Sequence, residues 1–472
     1  MAMTKTTTFV AALLMLGCSD REGPVESLPR PNLLFIITDD QRFDMMGSVN
    51  PTLHTPNMDR LANEGIRFER AYVTTPICAA SRASLLTGLF ERTHQSTFGT
   101  PPLATEFTDR SYPSLLRDAG YHTGFVGKFG VNTEEGAVQT MFDTYVELRP
   151  APYIKELEDG SLRHLTDITA DESIAFLQST EQARPFALTV SFNAPHADDG
   201  DERQYIWPEA MDTMYSNTLI PEPPLSDPAF FDALPEFLQE ASLNRIRWYW
   251  RFDTPEKARE MTRGYYRMIS GVDAAIGRLL TELKSLGLAD NTVVVLMGDN
   301  GYFLGERGYA GKWLPYDLSI HVPLIIFDPR TEGKVEGSGP FLPVLNIDIA
   351  PTLLDLAGVD VPEAMQGRSL VPLLAGKSPD DWRTDFFVEH LFEHPEIPKH
   401  EGVREERYNY ARYFEQNPVY EELYDLVEDP MEARNLAENP DYLEILEDLR
   451  RRTDELRDEY GGRYVSLTVQ SP

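Results

Sequence analysis

Short, unbroken apolar runs punctuate this chain and alternate with stretches of helical period. Asn32-Leu33-Leu34-Phe35-Ile36-Ile37-Thr38 is one such run, residues 186–193 form a second, and Thr292-Val293-Val294-Val295-Leu296-Met297-Gly298 is a third. Runs of this length without polar alternation suit strands covered on both faces. Residues 58–64, 112–119, 167–178 and about 257–286 place apolar side chains at helical spacing, and residues 121–126 read as a further strand. Alternating strands and helices predict an α/β fold, a mixed, mainly parallel sheet flanked by helices. Residues 197–252 break the rhythm with proline, acid and aromatic clusters such as Pro221-Glu222-Pro223-Pro224 and Trp248-Tyr249-Trp250. They read as an irregular insertion over the sheet edge, whose aromatics either pack the insertion or stack on sugars.

After about Lys377 the pattern changes. Residues 403–413 and 420–426 alternate like antiparallel strands, and residues 444–460 form a charged amphipathic helix. This predicts a main domain of residues 32–376 and a smaller C-terminal subdomain, residues 377–472, of antiparallel sheet plus helix. The other end of the chain carries one early charge, an apolar run over residues 9–16, and then Gly17-Cys18-Ser19. That run is too short to span a bilayer and reads as a signal peptide of residues 1–18. Gly17-Cys18 is similar to a bacterial lipobox, which makes Cys18 the candidate lipidation site, with plain secretion as the alternative. Residues 19–31 are polar and proline-containing and read as a tether. No later segment is apolar enough to span a bilayer, so a lipid anchor is the only expected tie to a membrane. The chain is expected to be exported, to the periplasm or cell surface. Ser19 stands where an inner-membrane retention aspartate would stand, which favours the outer membrane.

Charge narrows the functions further. The chain has 43 basic and 76 acidic residues, a net charge of −33. Nucleic-acid binding wants a basic face and is excluded. Any anionic substrate must meet a local cationic cluster set against this global field. The two cysteines, Cys18 and Cys78, each have a separate explanation, and no disulfide is expected.

Candidate chemistry gathers where the apolar runs end. Asp39-Asp40 closes the first, and Gly298-Asp299-Asn300-Gly301 closes the third. Ligand sites in α/β sheets lie beyond the carboxyl ends of strands. One acid there could cap a helix, but two adjacent acids at a buried strand end are costly unless a cation joins them. Asp39, Asp40, Asp299 and the Asn300 carbonyl offer an all-oxygen shell that suits Ca²⁺ or Mg²⁺ rather than zinc. Cys78 follows a turn-like Thr74-Thr75-Pro76 and precedes a helix-compatible run, with Arg82 one turn on. A helix N-terminus there would favour an anionic group. Taken alone, Cys78 is either a small buried hydrophobe or a reactive thiolate. Gly127-Lys128-Phe129-Gly130, Asn193-Ala194-Pro195-His196 and Gly311-Lys312-Trp313 supply further cationic groups.

Cys78-Ala79-Ala80-Ser81-Arg82 with Leu86-Thr87-Gly88 resembles the signature of the type I, formylglycine-dependent sulfatases. The other motifs follow in that family's own order, and the likeness runs from Asn32 to about Asn439, closest to bacterial polysaccharide sulfatases. The resemblance implies an alkaline-phosphatase-like fold and hydrolysis of sulfate esters on a sulfated polysaccharide or oligosaccharide. It implies that a maturation enzyme oxidises Cys78 to formylglycine, whose hydrated aldehyde is the nucleophile. It implies a Ca²⁺ site, with Mg²⁺ as the other candidate, on Asp39, Asp40, residue 78, Asp299 and Asn300. Arg82, Lys128 and Lys312 would stabilise the sulfuryl oxygens, and His196 would protonate the leaving oxygen. Two rivals stay open: a phosphate or phosphonate ester hydrolase of the same superfamily, and an inactive glycan-binding lipoprotein.

The chain departs from the family at Gly130, where most sulfatases have a histidine that helps expel sulfate. Either the enzyme is slow or another base fills the space. His164, just before a predicted helix, is the candidate for that auxiliary base. His390, His394, Lys399 and His400 are candidates for sugar contacts from the C-terminal part.

Overall fold

The structure, a computed structural model, describes residues 30–181, 184–240, 242–331 and 342–464. The expected signal peptide, Cys18 and nearly all of the tether lie outside the described residues.

Seven strands form the central sheet. They are β1 (Asn32–Thr38), β2 (Ile66–Arg67), β3 (His122–Gly127), β4 (Thr144–Glu147), β5 (Phe186–Ser191), β6 (Thr292–Gly298) and β7 (Leu324–Phe327), in the spatial order β2-β7-β6-β1-β5-β3-β4. β1 pairs in parallel with β5 and β6, so Phe35 lies opposite both Thr189 and Val295. β3 continues the parallel run, while β7 is antiparallel to both of its neighbours. The mixed, mainly parallel sheet expected from the sequence is thus what forms.

Every residue of β1 and β6 is buried because side chains of period two meet an apolar layer on each face. Leu33, Phe35 and Ile37 join one core, with Leu85, Tyr112, Leu116 and Leu353. Leu34 and Ile36 join the other, with Met58, Leu61, Phe176, Met268 and Ile276. The covering helices are α1 (Pro56–Glu64), α2 (Cys78–Thr87), α3 (Tyr112–Asp118), α4 (Leu165–Ser179), α5 (Leu243–Arg251), α6 (Pro255–Ser285) and α7 (Ile349–Leu356). The insertion is irregular as expected, apart from α5 and single helical turns.

The C-terminal part is a four-stranded antiparallel sheet, β8 (Asp385–His390), β9 (His400–Glu405), β10 (Tyr408–Tyr413) and β11 (Tyr420–Asp425), backed by α8 (Leu443–Glu459). The sequence pattern missed β8, and it merged β9 and β10, which are two strands joined by a tight hairpin. Phe386, Phe387, Val403, Leu423, Leu446 and Leu449 belong to the same apolar core as Phe35 and Val295. The two parts therefore share a core and meet over a continuous apolar layer.

Candidate active site at the carboxyl ends of the central strands

Asp39 and Asp40 follow β1, Asp299 follows β6, Lys128 follows β3, and Ser191 ends β5. Parallel neighbours end side by side, so residues far apart in sequence arrive at one place. Gly127 makes the bend after β3 workable. Its φ is +116°, and a Cβ there would strike the Ser191 carbonyl, which accepts the Lys128 N–H at 2.9 Å.

Cys78 is the first residue of α2 and is buried. The helix ends at Gly88 in the left-handed conformation, an ordinary glycine stop. The Cys78 Sγ lies within 4.8 Å of carboxylate oxygens of Asp39 and Asp299, and 4.0 Å from the Lys128 Nζ.

Arg82, one turn along, is 2 % exposed. Its Nε donates to Asp299 Oδ2 at 2.7 Å, Nη1 donates to Ser191 Oγ at 2.6 Å and to the Lys128 carbonyl, and Nη2 lies 3.5 Å from Asp39 Oδ2. The guanidinium therefore clamps the acids and the turn after β3. The group expected to stabilise the substrate's sulfuryl oxygens is thus held by protein acceptors at the floor of the site.

The acids are held just as firmly. Asp40 sits at φ +63°, a conformation that costs an aspartate roughly 1–3 kcal/mol. Its N–H donates to Asp299 Oδ1 at 3.1 Å, and its carbonyl accepts from the Tyr265 hydroxyl at 2.6 Å. The Asn300 Nδ2 donates to Asp40 Oδ1 at 2.6 Å, which turns the Asn300 carbonyl oxygen the other way. Lys128 pairs with Asp39, and Lys312 pairs with Asp40 while standing 3.8 Å from Asp39 Oδ1.

Burial alone would raise the pKa of Asp39, but Lys128, His196, Lys312 and Arg82 together hold it well below the usual carboxylate range. Asp299 is pushed up, by burial and by the neighbouring Asp39 charge. The three carboxylates are matched in number by Arg82, Lys128 and Lys312, yet burial still disfavours the charged form of Asp299.

Three buried oxygens in this cluster, Asp39 Oδ1, Asp40 Oδ2 and Asn300 Oδ1, accept no hydrogen bond. Leaving such atoms bare in a protein interior is costly. Hard oxygen donors without partners, beside an acid whose pKa burial raises, fit a Ca²⁺ or Mg²⁺ ion.

His196 lies at the opening. Its Nδ1 bonds the Ala197 carbonyl at 2.5 Å, and its own carbonyl accepts from the Tyr153 hydroxyl at 2.6 Å. The Nδ1 bond leaves Nε2 facing the site, 3.6 Å from Asp40 Oδ2. Burial lowers the His196 pKa, against the pull of Asp40 and Asp39. The side chains of His196 and Lys128 are 20 % and 12 % exposed, and those of Arg82, Asp39, Asp40, Asp299 and Lys312 at most 3 %, so substrate must enter past the first two.

Other expectations need correction. His164 is not an auxiliary base. It caps α4, with Nδ1 accepting the Thr166 N–H at 3.1 Å and Nε2 bonded to the Ile206 carbonyl at 3.0 Å, while its ring stacks on Tyr153. Both nitrogens are spent. Nor does Gly130 leave a hole, since its φ is +72° and a Cβ there would lie 3.1 Å from Arg82 Cδ.

His390 and His400 are fully buried and stacked on each other, and His400 Nε2 bonds the Trp313 carbonyl at 3.0 Å. They support the Lys312 loop from behind and cannot meet a sugar. His394 and Lys399 line a surface cavity of about 440 Å³, but Lys399 is already paired with Glu393 and Glu415 at 2.9 and 2.6 Å. Sequence reasoning missed Ser191, Tyr153 and Tyr265. Only Ser191 carried a signal, its place at the end of a buried strand.

Comparison with known proteins follows the same lines. The sulfatase family model matches residues 31–359, and the model of the N-sulphoglucosamine sulphohydrolase C-terminal region matches residues 305–459. The chain belongs to the sulfatase family and is a sulfuric ester hydrolase. An N-acetylglucosamine-6-O-sulfatase of Bacteroides thetaiotaomicron is 30 % identical, over 96 % of this chain and 90 % of that protein. A protein solved in complex with its substrate D-glucosamine-2-N,6-O-disulfate superposes with a TM-score of 0.75 at 28 % identity, over 92 % of this chain and 98 % of the other. The phosphonate monoester hydrolase of Silicibacter pomeroyi superposes with a TM-score of 0.77 at 25 % identity, over 91 % and 96 %. The alkaline-phosphatase-like fold is common to these enzymes.

Proposed function

We propose that the chain removes sulfate from a sulfated oligosaccharide or polysaccharide, with formylglycine made from Cys78 as nucleophile and Ca²⁺, or Mg²⁺, on Asp39, Asp40, Asp299 and Asn300. The observation that carries this reading is the meeting of residue 78, at a helix N-terminus, with three acids and two lysines beyond the ends of β1, β3 and β6. The two sugar-linked relatives support the substrate class. Residue 78 could also reach the cation through its oxygen.

The bound cation would polarise the sulfuryl oxygens and favour an ionised nucleophile. The N-terminus of α2 favours the same negative charge. Arg82 fixes the acids, so little reorganisation is left for the reaction itself. Lys128 and Lys312 stabilise the sulfuryl oxygens. One hydroxyl oxygen of hydrated residue 78 forms a bond to sulfur as the bond from sulfur to the sugar oxygen breaks. His196, protonated, gives its Nε2 proton to that leaving oxygen. The second hydroxyl then gives its proton to His196, now neutral, the bond from carbon to the sulfate oxygen breaks with its electrons on sulfate, and the aldehyde returns. A maturation enzyme must supply the aldehyde beforehand. Export with a lipid anchor at Cys18 completes the reading, and release of the protein from membranes by Cys18→Ala tests that part.

The experiment is sulfate release from defined sulfated oligosaccharides and from 4-methylumbelliferyl sulfate, by protein made with the maturation enzyme. Release that a chelator and Cys78→Ala both abolish is expected. The likeness to a phosphonate monoester hydrolase keeps a second reading in view. Faster cleavage of a phenyl phosphonate ester than of any sulfate ester would establish that reading instead.

A further inference from the structure

On the rim of the site the insertion carries one cation more than its acid can match. Asp199 pairs with both Arg247 and Arg251. Arg251 is fully buried, and its Nη1 also donates to the Tyr302 hydroxyl at 2.7 Å. Arg247 is less satisfied. The Nε of each arginine is shielded from water and has no acceptor among the described residues, but Arg247 makes no second side-chain bond like that of Arg251 to Tyr302, and its side chain is 12 % exposed where that of Arg251 is closed off. The guanidinium lies 4.7 Å over the Trp313 ring, which fixes its plane. Two guanidinium groups on one carboxylate leave about one positive charge, in a chain whose net charge is −33.

Its neighbours tie this charge to the reacting centre. Trp313 directly follows Lys312, and Asn244 of the same helix, α5, donates to the Lys312 carbonyl at 2.7 Å. Asp199 lies near enough to His196 for the imidazole to lower its pKa, after the larger effects of burial and of the two arginines. Arg247 thus stands on the His196 side, where the alcohol half of the substrate leaves. A neutral alcohol would leave this cation uncompensated, whereas an anion at the exposed part of the guanidinium would balance it. An arginine fork matches sulfate and carboxylate oxygens.

We propose that Arg247 is a specificity residue that binds a second anionic group, sulfate or carboxylate, on the alcohol half of the substrate. The proposal rests on the sulfatase reading and narrows its substrate to sugars with at least two anionic groups. A plain strut between Asp199 and Trp313 is the competing role, and it would treat all sugars alike.

The test is competitive inhibition of 4-methylumbelliferyl sulfate hydrolysis by glucosamine 6-sulfate and by glucosamine 2-N,6-O-disulfate. These probes differ by one anionic group, and inhibition reads binding whether or not either is cleaved. The wild type should bind the disulfate about 10–100-fold more tightly, the worth of a hydrogen-bonded charge. Arg247→Gln should close that gap, and Arg247→Lys should restore part of it. Equal binding of the two sugars by the wild type would overturn the proposal. So would a gap that survives Arg247→Gln, which would make Arg247 a strut. A wild type that hydrolyses no sulfate ester at all would fail the sulfatase reading instead.

Discussion

Asp39, Asp299 and Lys128 stand just beyond three strands of one sheet, whereas Arg247, Trp313, His394 and Lys399 come from an insertion helix and from loops. The first group forms a floor whose carboxylates are almost without solvent exposure and whose every cation is tied to a carboxylate. The second forms a rim with exposed aromatics, Tyr249 and Trp250 among them, and an arginine that lacks a full set of acceptors. The difference separates two tasks. Bond cleavage needs charges fixed before substrate arrives, and buried strand ends fix them. Choosing a substrate needs surfaces that can vary without disturbing the sheet, and loops supply those.

Substitutions on the floor should therefore remove activity on every substrate, starting with the acids. Asp299→Ala would remove a proposed cation ligand and free Arg82. Calorimetric titration should show loss of Ca²⁺ binding, and sulfate release should fall at least about 10³-fold, the scale of losing preorganised charge stabilisation. An Asp299→Ala protein that still binds Ca²⁺ would break the picture of a single floor. His196→Ala should lower kcat by about 10²–10⁴-fold, the usual worth of a proton-transfer group, with Ca²⁺ affinity retained. The loss should shrink for aryl sulfates, whose leaving oxygen needs less protonation, and an equal loss on both substrate types would deny His196 the acid role.

Smaller effects test how the floor is propped. Gly130→His restores the residue type common in the family, yet here it forces a side chain onto a left-handed backbone and against Arg82. Thermal unfolding should show a loss of about 1–3 kcal/mol, with no gain in turnover. A faster Gly130→His enzyme would mean that the glycine is a defect. Tyr265→Phe removes the hydrogen bond that holds Asp40 in its strained conformation, worth about 0.5–1.5 kcal/mol. Ca²⁺ affinity should weaken by several-fold while substrate preference stays as it was.

The floor was largely legible in the sequence, and the rim was not. Asp39-Asp40 and Asp299-Asn300 announce themselves because each ends a continuous apolar run, and such runs must be buried strands, while Lys128 follows a strand that a glycine turn closes. Cys78 and Arg82 share one short helix, so spacing alone placed them together. What spacing could not show was direction. Arg82 faces the acids, and His164, His390 and His400 are turned inward as packed or capping imidazoles. A histidine near a helix start and a histidine at a site look alike in sequence, because only tertiary contacts decide which ring nitrogens are free. Arg247 lies on α5, inside a segment whose proline, acid and aromatic clusters read as irregular, and its pairing with Asp199 crosses a long loop. Strand β8 was missed for a related reason. Its run Asp385-Phe386-Phe387-Val388-Glu389-His390 buries the Glu389 and His390 side chains, which a pattern of apolar residues cannot anticipate.

Acid stability offers the gentlest test of how the buried imidazoles are packed. His94 is buried behind α2, with Nε2 3.1 Å from Ser84 Oγ, and burial pushes its pKa down to about 3. A base with a lowered folded pKa binds fewer protons folded than unfolded, so its contribution is complete above the unfolded value and lost as pH falls toward the folded one. His321 and His400 are pushed down to about 4 by the same cause. The melting temperature should hold near neutral pH and fall between about pH 6.5 and 4, the span between ordinary and buried imidazole. His94→Gln should flatten part of that fall.

The central claim is that residue 78, placed at the head of α2 among the acids and lysines, is the nucleophile in its oxidised form. Mass spectrometry of the peptide containing residue 78, on samples of graded sulfatase activity, tests it most directly. Activity should rise in proportion to the fraction of formylglycine and vanish where all of residue 78 is cysteine. Full activity in protein whose Cys78 is entirely unmodified would contradict the account.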